Sequence, residues 1–455
     1  MTRFDQPPTG SGPRPPASRR RHTGPGPDGP RHTGPRGRTP APLFGGALTA
    51  ALGLVLAAGT VAAGARPGTR ASSEEAPVAS WKASGRVAPV RLTLPEPTGP
   101  HRIGTAALHL VDRSRRDPWK PARPARELMV QLWYPAEGVT GHPRAPWLSP
   151  GVAALQLRGV PAGTVRLPDG HGHLGAPVSR SRGGRAVVLL SHGFGADRAS
   201  STALVEDLAS HGYVVAAVDH TYDAGAVEFP GGRVETHAAS PPQPDFDNPG
   251  DPVATKAVAA RQADVRFVLD TLTALNRGHD ASMGTHSLPR GMKGALDLSR
   301  VGMFGHSLGG ATSAAAMHAD ARIKAGANLD GGMFGPVLRA GLDRPFLLIG
   351  SSGHGRDNDR SWAALWPRLR GPRLELRLRG AAHSSFTDLQ VLLRQHSLGL
   401  PPERVDEAIG VIDGPRSVLV QRTYLRAFFD RHLLRSPSPL LTGPSPHWPE
   451  MRFVP

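Results

Sequence analysis

The chain has 455 residues, no cysteine, 55 glycines, 47 prolines and a formal net charge of +17. Without cysteine it forms no disulfide and carries no thiol nucleophile, cysteine-ligated zinc or lipidated cysteine. Nor does the charge indicate a nucleic-acid partner: eight arginines against two aspartates give residues 1–42 a local +6, and the remaining +11 is scattered arginine without aromatic interleaving.

Residues 1–42 are rich in Pro, Gly and Arg and repeat Arg-His-Thr-Gly-Pro at 21 and 31. Such a segment cannot bury enough apolar surface to fold and reads as a disordered basic tail. Residues 43–65 are uncharged Leu, Val, Ala, Gly, Thr and Phe, close to the roughly 20 residues that one membrane-spanning helix needs. The small residues Ala62-Ala63-Gly64-Ala65 suit the end of a signal peptide equally well. Either reading of this one apolar helix leaves the basic tail in the cytoplasm and the rest outside, secreted or anchored to the cytoplasmic membrane. Residues 66–102 read as a linker, 103–435 as the folded domain and 436–455 as a C-terminal extension.

Ala106 to Val111 and Leu128 to Trp133 are expected as opening strands, and 136–180, with many Gly and Pro, as loop. Ala186-Val187-Val188-Leu189-Leu190 is a continuous apolar run, the pattern of a buried parallel strand. A helix over about 200–210 and a second buried run, Val214 to Val218, follow. Residues 221–250 read as a loop over the site. A long helix comes next, with Val258, Val265, Val268, Leu269 and Leu272 at three- and four-residue spacing. Runs at 301–304, 325–329, 346–349 and 374–378 alternate with helical patterns, and an amphipathic helix from about Val418 to Leu433 closes the domain. This alternation predicts an α/β fold: a doubly wound, mostly parallel sheet flanked by helices, with its site at the carboxyl ends of the strands.

The most informative stretch is Gly305-His306-Ser307-Leu308-Gly309-Gly310, which follows an apolar run and opens a small-residue helix. Strand, sharp glycine turn and helix is the setting in which a serine is exposed as a nucleophile. The stretches around Ser287 and Ser397 share His-Ser-Leu but lack the first glycine and the preceding strand. An attacking serine needs an imidazole to take its proton, a carboxylate to orient that imidazole, and two N–H groups for the oxyanion. His383, in a small-residue loop after the last run, is the expected base, with His354 its rival. Asp330 competes with Asp357 and Asp359 for the acid, and chain order does not choose between them. The amide of Leu308 supplies one oxyanion donor, and Phe194, in Ser191-His192-Gly193-Phe194-Gly195, the other. His171-Gly172-His173 lacks a third ligand and reads as loop rather than half a metal site.

Taken together, these segments resemble the plasma and type II platelet-activating-factor acetylhydrolase family of the α/β-hydrolase fold. The resemblance runs colinearly from Met129–Pro135 through Ser191–Gly195, Asp207–His220, Gly305–Gly310 and Leu329–Phe334 to His383–Asp388, within about residues 103–435. It implies a triad of Ser307, Asp330 and His383, favouring Asp330 over Asp357, with Phe194 and Leu308 as oxyanion donors. It further implies no metal or cofactor and a small-molecule or lipid ester with a short acyl chain as substrate; membrane contact, where 43–65 is retained, is read from that apolar segment and not from the resemblance. A cutinase- or polyester-type esterase is the alternative chemistry. A catalytically silent, membrane-tethered binding protein on the same scaffold is the alternative outside enzymes.

Overall fold

The computed structural model describes residues 88–238, 243–279 and 288–455. The basic tail, the apolar segment 43–65 and most of the linker lie outside the described residues. Among the described residues no helix is long and apolar enough to cross a membrane.

In chain order the strands are β1 (Val90–Arg91), β2 (Ile103–Asp112), β3 (Arg126–Pro135), β4 (Arg144–Pro146), β5 (Val165–Arg166), β6 (Asp169–Leu174), β7 (Arg185–Ser191) and β8 (Val214–Asp219). After these come β9 (Ala226–Glu228), β10 (Val234–Thr236), β11 (Leu296–His306), β12 (Ile323–Leu329), β13 (Phe346–Gly350), β14 (Arg373–Leu378) and β15 (Met451–Val454). Eleven of them make one sheet in the order β15-β14-β13-β12-β11-β7-β8-β3-β2-β6-β4. Its centre, from β8 through β7 and β11 to β14, is parallel, and β3 and β15 pair antiparallel at either side of it.

The apolar runs do not alternate with polar residues because both sheet faces are covered. From β7, Val187 and Leu189 enter one core with Val265, Val268, Leu269 and Leu272 of the helix Pro252–Asn276. Their neighbours Ala186, Val188 and Leu190 enter the opposite core, with Leu204 and Leu208 of helix Thr202–Ser210 and Val420, Phe428 and Phe429 of helix Gly414–Leu433. Each fully buried aliphatic side chain of this kind contributes about 1.5–3 kcal/mol. The two long helices start by one device. Asp251 and Asp413 accept the backbone N–H of Ala254 and Arg416, and a proline in each first turn needs no partner for the N–H it lacks.

Residues 136–180, expected as loop, hold β4, β5, β6 and the short helix Pro150–Gln156. The sequence Asp-Gly-His-Gly-His-Leu of β6 has little strand propensity and is held by pairing with β2 and β4. The sheet also runs past residue 435: β15, within the expected C-terminal extension, pairs with β14. Likewise β1, within the expected linker, pairs with β5.

Candidate active site

Register puts the nucleophile and acid candidates side by side. His306 of β11 pairs with Leu329 of β12, so Ser307 and Asp330 each stand one residue beyond adjacent strand ends. Ser191, at the end of β7, lies opposite Gly305, which brings the Phe194 loop to the same edge. The edge is the carboxyl end of the parallel strands, where ligands bind in open α/β sheets.

Ser307 is strained, with φ 54° and ψ −125°, a conformation costing on the order of 1–3 kcal/mol for a non-glycine residue. Its N–H donates to Leu329 O at 2.9 Å, while the N–H groups of Gly310 and Ala311 donate to its carbonyl. Two glycines make the turn sterically feasible. A Cβ on Gly305 would lie 2.2 Å from the Gly309 backbone, and one on Gly309 would lie 1.9 Å from Ser191 O. Five non-glycine residues among those described have positive φ, and Ser307 and Asp330 are two of them. Both strand ends therefore turn through a positive-φ residue.

Asp330 is buried and accepts three hydrogen bonds. Its Oδ2 takes one from His383 Nδ1 at 2.7 Å, and its Oδ1 takes those of His354 Nδ1 at 2.9 Å and Ser351 N at 2.5 Å. Burial pushes its carboxyl up, but the two histidines outweigh that and hold it well below the usual carboxylate range. Since Nδ1 of His383 is committed to Asp330, Nε2 is the ring nitrogen left for proton transfer. His383 sits in a 3-10 turn, His383–Phe386, after β14. Its carbonyl accepts Nε2–H of His306 at 2.9 Å, and the two rings lie 4.6 Å apart. Burial drives His306 down to about 3, so it braces that turn as a neutral ring.

The rival residues occupy other roles. His354 donates from Nε2 to Asp359 Oδ2 at 2.7 Å as well as from Nδ1 to Asp330, leaving no nitrogen for a serine. Burial opposes its charge, but the two carboxylates raise it to about 10. Asp359 caps helix Arg360–Leu365 through the N–H groups of Ser361 and Trp362, and Asp357 is exposed and paired with Arg377. His171 and His173 bond apart, to Glu206 and to the His142 carbonyl respectively. Asp388 does not cap its own helix. It accepts from Thr202 N, Ala203 N and Trp147 Nε1, capping helix Thr202–Ser210 instead.

Phe194 and Leu308 flank the elbow, and among the described residues neither of their N–H groups has an acceptor within the protein. The Phe194 ring meets His237 and Phe246 edge to face at 4.7 and 5.6 Å, and Phe246 meets Phe334 at 6.2 Å. Leu308, Phe334 and Val258 pack with them, so an apolar, largely aromatic wall adjoins the elbow. A cavity of about 930 Å³ opens under residues 145–152, lined by Gln131, Trp133, Trp147 and Arg198, but by none of Ser307, Asp330 or His383.

A second Ser-His-Asp chain lies beneath this edge, and the sequence reading missed it. Ser191 Oγ lies 2.9 Å from His220 Nε2, and His220 Nδ1 lies 2.9 Å from Asp264 Oδ2. All three are fully buried. Burial lowers His220 to about 4, while Arg126 and His220 overcome the burial of Asp264 and keep it ionised. Its legible trace was Arg261 and Asp264, charged residues on the apolar stripe of a helix, which require buried partners of opposite sign.

Residues 90–398 match the family described as platelet-activating factor acetylhydrolase, isoform II. The chain belongs to that family. A protein of Arthroderma benhamiae named as a probable 1-alkyl-2-acetylglycerophosphocholine esterase is 29% identical over 403 residues, 80% of this chain and 95% of that one. The platelet-activating factor acetylhydrolase of Cavia porcellus is 27% identical over 209 residues, 44% of this chain and 48% of its own length. Among solved structures, a ferulic acid esterase from Streptomyces cinnamoneus superposes with a TM-score of 0.67 at 37% identity, covering 80% of this chain and 99% of that one. This member of the acetylhydrolase family is thus an esterase with an α/β fold.

Proposed function

We propose that the chain hydrolyses carboxylic esters of short acyl chain through Ser307, with His383 as base, Asp330 as its orienting acid, and the Phe194 and Leu308 amides as oxyanion donors. One observation carries the reading: a strained serine one residue past β11, beside an aspartate one residue past β12 whose Oδ2 accepts His383 Nδ1–H at 2.7 Å. His383 Nε2 takes the Ser307 proton as Oγ attacks the ester carbonyl, and Asp330 stabilises the imidazolium that forms. The two amides bind the oxyanion; the tetrahedral intermediate collapses, and His383 returns the proton to the leaving alcohol. Water, deprotonated by the same imidazole, then attacks the acyl-serine and releases the acid.

Ser307→Ala should abolish p-nitrophenyl acetate turnover and fluorophosphonate labelling without altering the melting temperature. Retained turnover would refute the assignment.

Relatives named for acetyl-glycerophospholipid hydrolysis support a lipid ester as substrate. A second reading, an aromatic acyl group such as a hydroxycinnamate, draws support from the Phe194, Phe246 and Phe334 wall and from the ferulic acid esterase likeness. The ratio of kcat/KM for an acetylated glycerophospholipid to that for methyl ferulate separates the two. Action outside the cytoplasmic membrane, as the apolar stretch 43–65 suggests, would be checked by protease accessibility on intact cells.

A further inference from the structure

Arg261 sits fully buried in the middle of helix Pro252–Asn276. All five of its N–H donors are used. Nε donates to Asp223 Oδ2 at 2.7 Å and Nη2 to Asp223 Oδ1 at 2.5 Å, which neutralises the charge. The other three donors converge on one short stretch: Nη1 on Ser191 Oγ at 3.3 Å and on His192 O, and Nη2 on Gly193 O at 3.2 Å.

The Gly193 carbonyl is the informative partner. It belongs to the same peptide unit as the Phe194 N–H, and in a trans peptide the C=O and N–H point in opposite directions. Whatever fixes the carbonyl therefore fixes the aim of the amide. Two more donors hold it, His192 Nδ1 at 2.6 Å and Ala196 N at 3.3 Å. The His192 tautomer is set in turn, because its Nε2 accepts the backbone N–H of His220 at 3.2 Å, leaving the proton on Nδ1. Ser191 sits between the two systems, accepting from Arg261 and donating to His220. Three donors on one carbonyl exceed what ordinary satisfaction of a buried acceptor requires.

We propose that Arg261 is a positioning residue for oxyanion stabilisation: with His192 it clamps the Gly193 carbonyl and so aims the Phe194 N–H at the oxygen of the reacting ester. The inference rests on the Ser307 reading above, with Phe194 as oxyanion donor. The guanidinium also polarises the peptide it holds, which makes the Phe194 N–H a stronger donor as negative charge develops on the oxygen. The buried Ser191–His220–Asp264 chain is then the footing of this clamp.

The test compares Arg261→Lys, the double variant Arg261→Met with Asp223→Asn, and His192→Phe. The double variant removes both charges together and so avoids a lone buried carboxylate; His192→Phe removes one clamp donor and keeps the ring volume. For each, kcat and KM on p-nitrophenyl acetate, the inhibition constant of a trifluoromethyl ketone that mimics the tetrahedral oxyanion, and the melting temperature are measured. A misaimed donor should lower kcat by about 10- to 100-fold, less than the roughly 100- to 1000-fold for outright loss of an oxyanion donor. KM should stay within about threefold, and the ketone should weaken by the same factor as kcat/KM. Variants that melt earlier yet keep kcat and ketone affinity within about twofold of wild type would overturn the clamp and leave Arg261 a structural ion pair. Ser307→Ala is run in parallel. If it is inactive while the clamp variants are normal, only the clamp falls; if it retains turnover, the Ser307 reading falls and the clamp with it.

Discussion

The aspartate that holds His383 also holds a second histidine, and this makes the pH dependence of the reaction predictable. His354 bridges Asp330 and Asp359 through its two ring nitrogens, lies tilted against Trp362 with ring centroids 4.4 Å apart, and has its pKa raised to about 10 by the two carboxylates. Asp247, in the loop before helix Pro252–Asn276, also faces it, and His383 lies across the Asp330 carboxylate. His354→Gln removes a fixed positive charge opposite His383. Two unit charges on either side of one carboxylate, roughly 6–7 Å apart, repel by about 0.6 kcal/mol at the dielectric constant of water and about 2.5 kcal/mol at an effective value of 20. Relieving that repulsion favours the His383 imidazolium, so the acid limb of kcat/KM should move upward by roughly 0.5 to 2 pH units. The assay is kcat/KM on a soluble p-nitrophenyl ester from pH 4 to 9 at constant ionic strength. Activity near pH 8 should hold within a few-fold while activity near pH 5 falls further. An acid limb that stays put, or moves to lower pH, would refute the reasoning. Stability supplies an independent check. A histidine whose folded pKa lies near 10, above its unfolded value near 6.5, contributes fully below pH 6.5, and that contribution is lost as pH rises through 10. Wild-type melting should therefore decline over that window more steeply than that of the variant.

The remaining expectations concern the acid, the elbow and the buried serine. Asp330→Asn should lower kcat by about three to four orders of magnitude, through loss of the carboxylate that orients and stabilises His383. Asp357→Asn, altering an exposed partner of Arg377, should leave kcat unchanged; comparable losses in both would unseat Asp330. Gly309→Ala should abolish activity or soluble expression, because its Cβ would lie 1.9 Å from Ser191 O and backbone cannot give way as a side-chain end can. Ser191→Ala should still take one equivalent of fluorophosphonate, at a stability cost of about 1–3 kcal/mol for the unsatisfied His220 nitrogen.

The parts of this architecture legible in sequence are those set by local pattern. Buried parallel strands need apolar side chains on both faces, so Ala186–Leu190 and Val214–Val218 stand out from one sequence alone. The elbow is legible because its glycines answer to backbone contacts no side chain can survive, at Gly305 and Gly309. Strand β6 was illegible because its stability comes from neighbours far away in the chain: Ile103 and Gly104 pair with Gly172 and His173. The acid stayed ambiguous for a related reason. Asp330 and Asp359 both follow strands, and both touch His354; only the register between β11 and β12 sets the first of them beside Ser307. His354 is a rival base in the sequence, whereas its place in the structure follows from two carboxylates that the sequence does not bring together.

One sheet edge thus holds two serine–histidine–aspartate sets: hydrogen bonds join all three members of the buried one, and join His383 to Asp330 in the other. Both links of Ser191–His220–Asp264 measure 2.9 Å. Yet Ser191, the last residue of β7, has no solvent exposure and has Arg261 directed at its oxygen. His220 and Arg261, both fully buried, cover that hydroxyl and leave no room for a substrate carbonyl. Ser307 differs: it stands at a turn beyond the strand, the residue is 9% exposed, and its backbone has a positive φ. Strain of that kind persists only where surrounding structure enforces it, and here two hydrogen-bonded strands and a helix start do so. In both sets an aspartate holds the histidine through Nδ1. Only Ser307 stands on a turn beyond its strand end, which supports the proposed reading of the buried chain as the footing of the Phe194 loop.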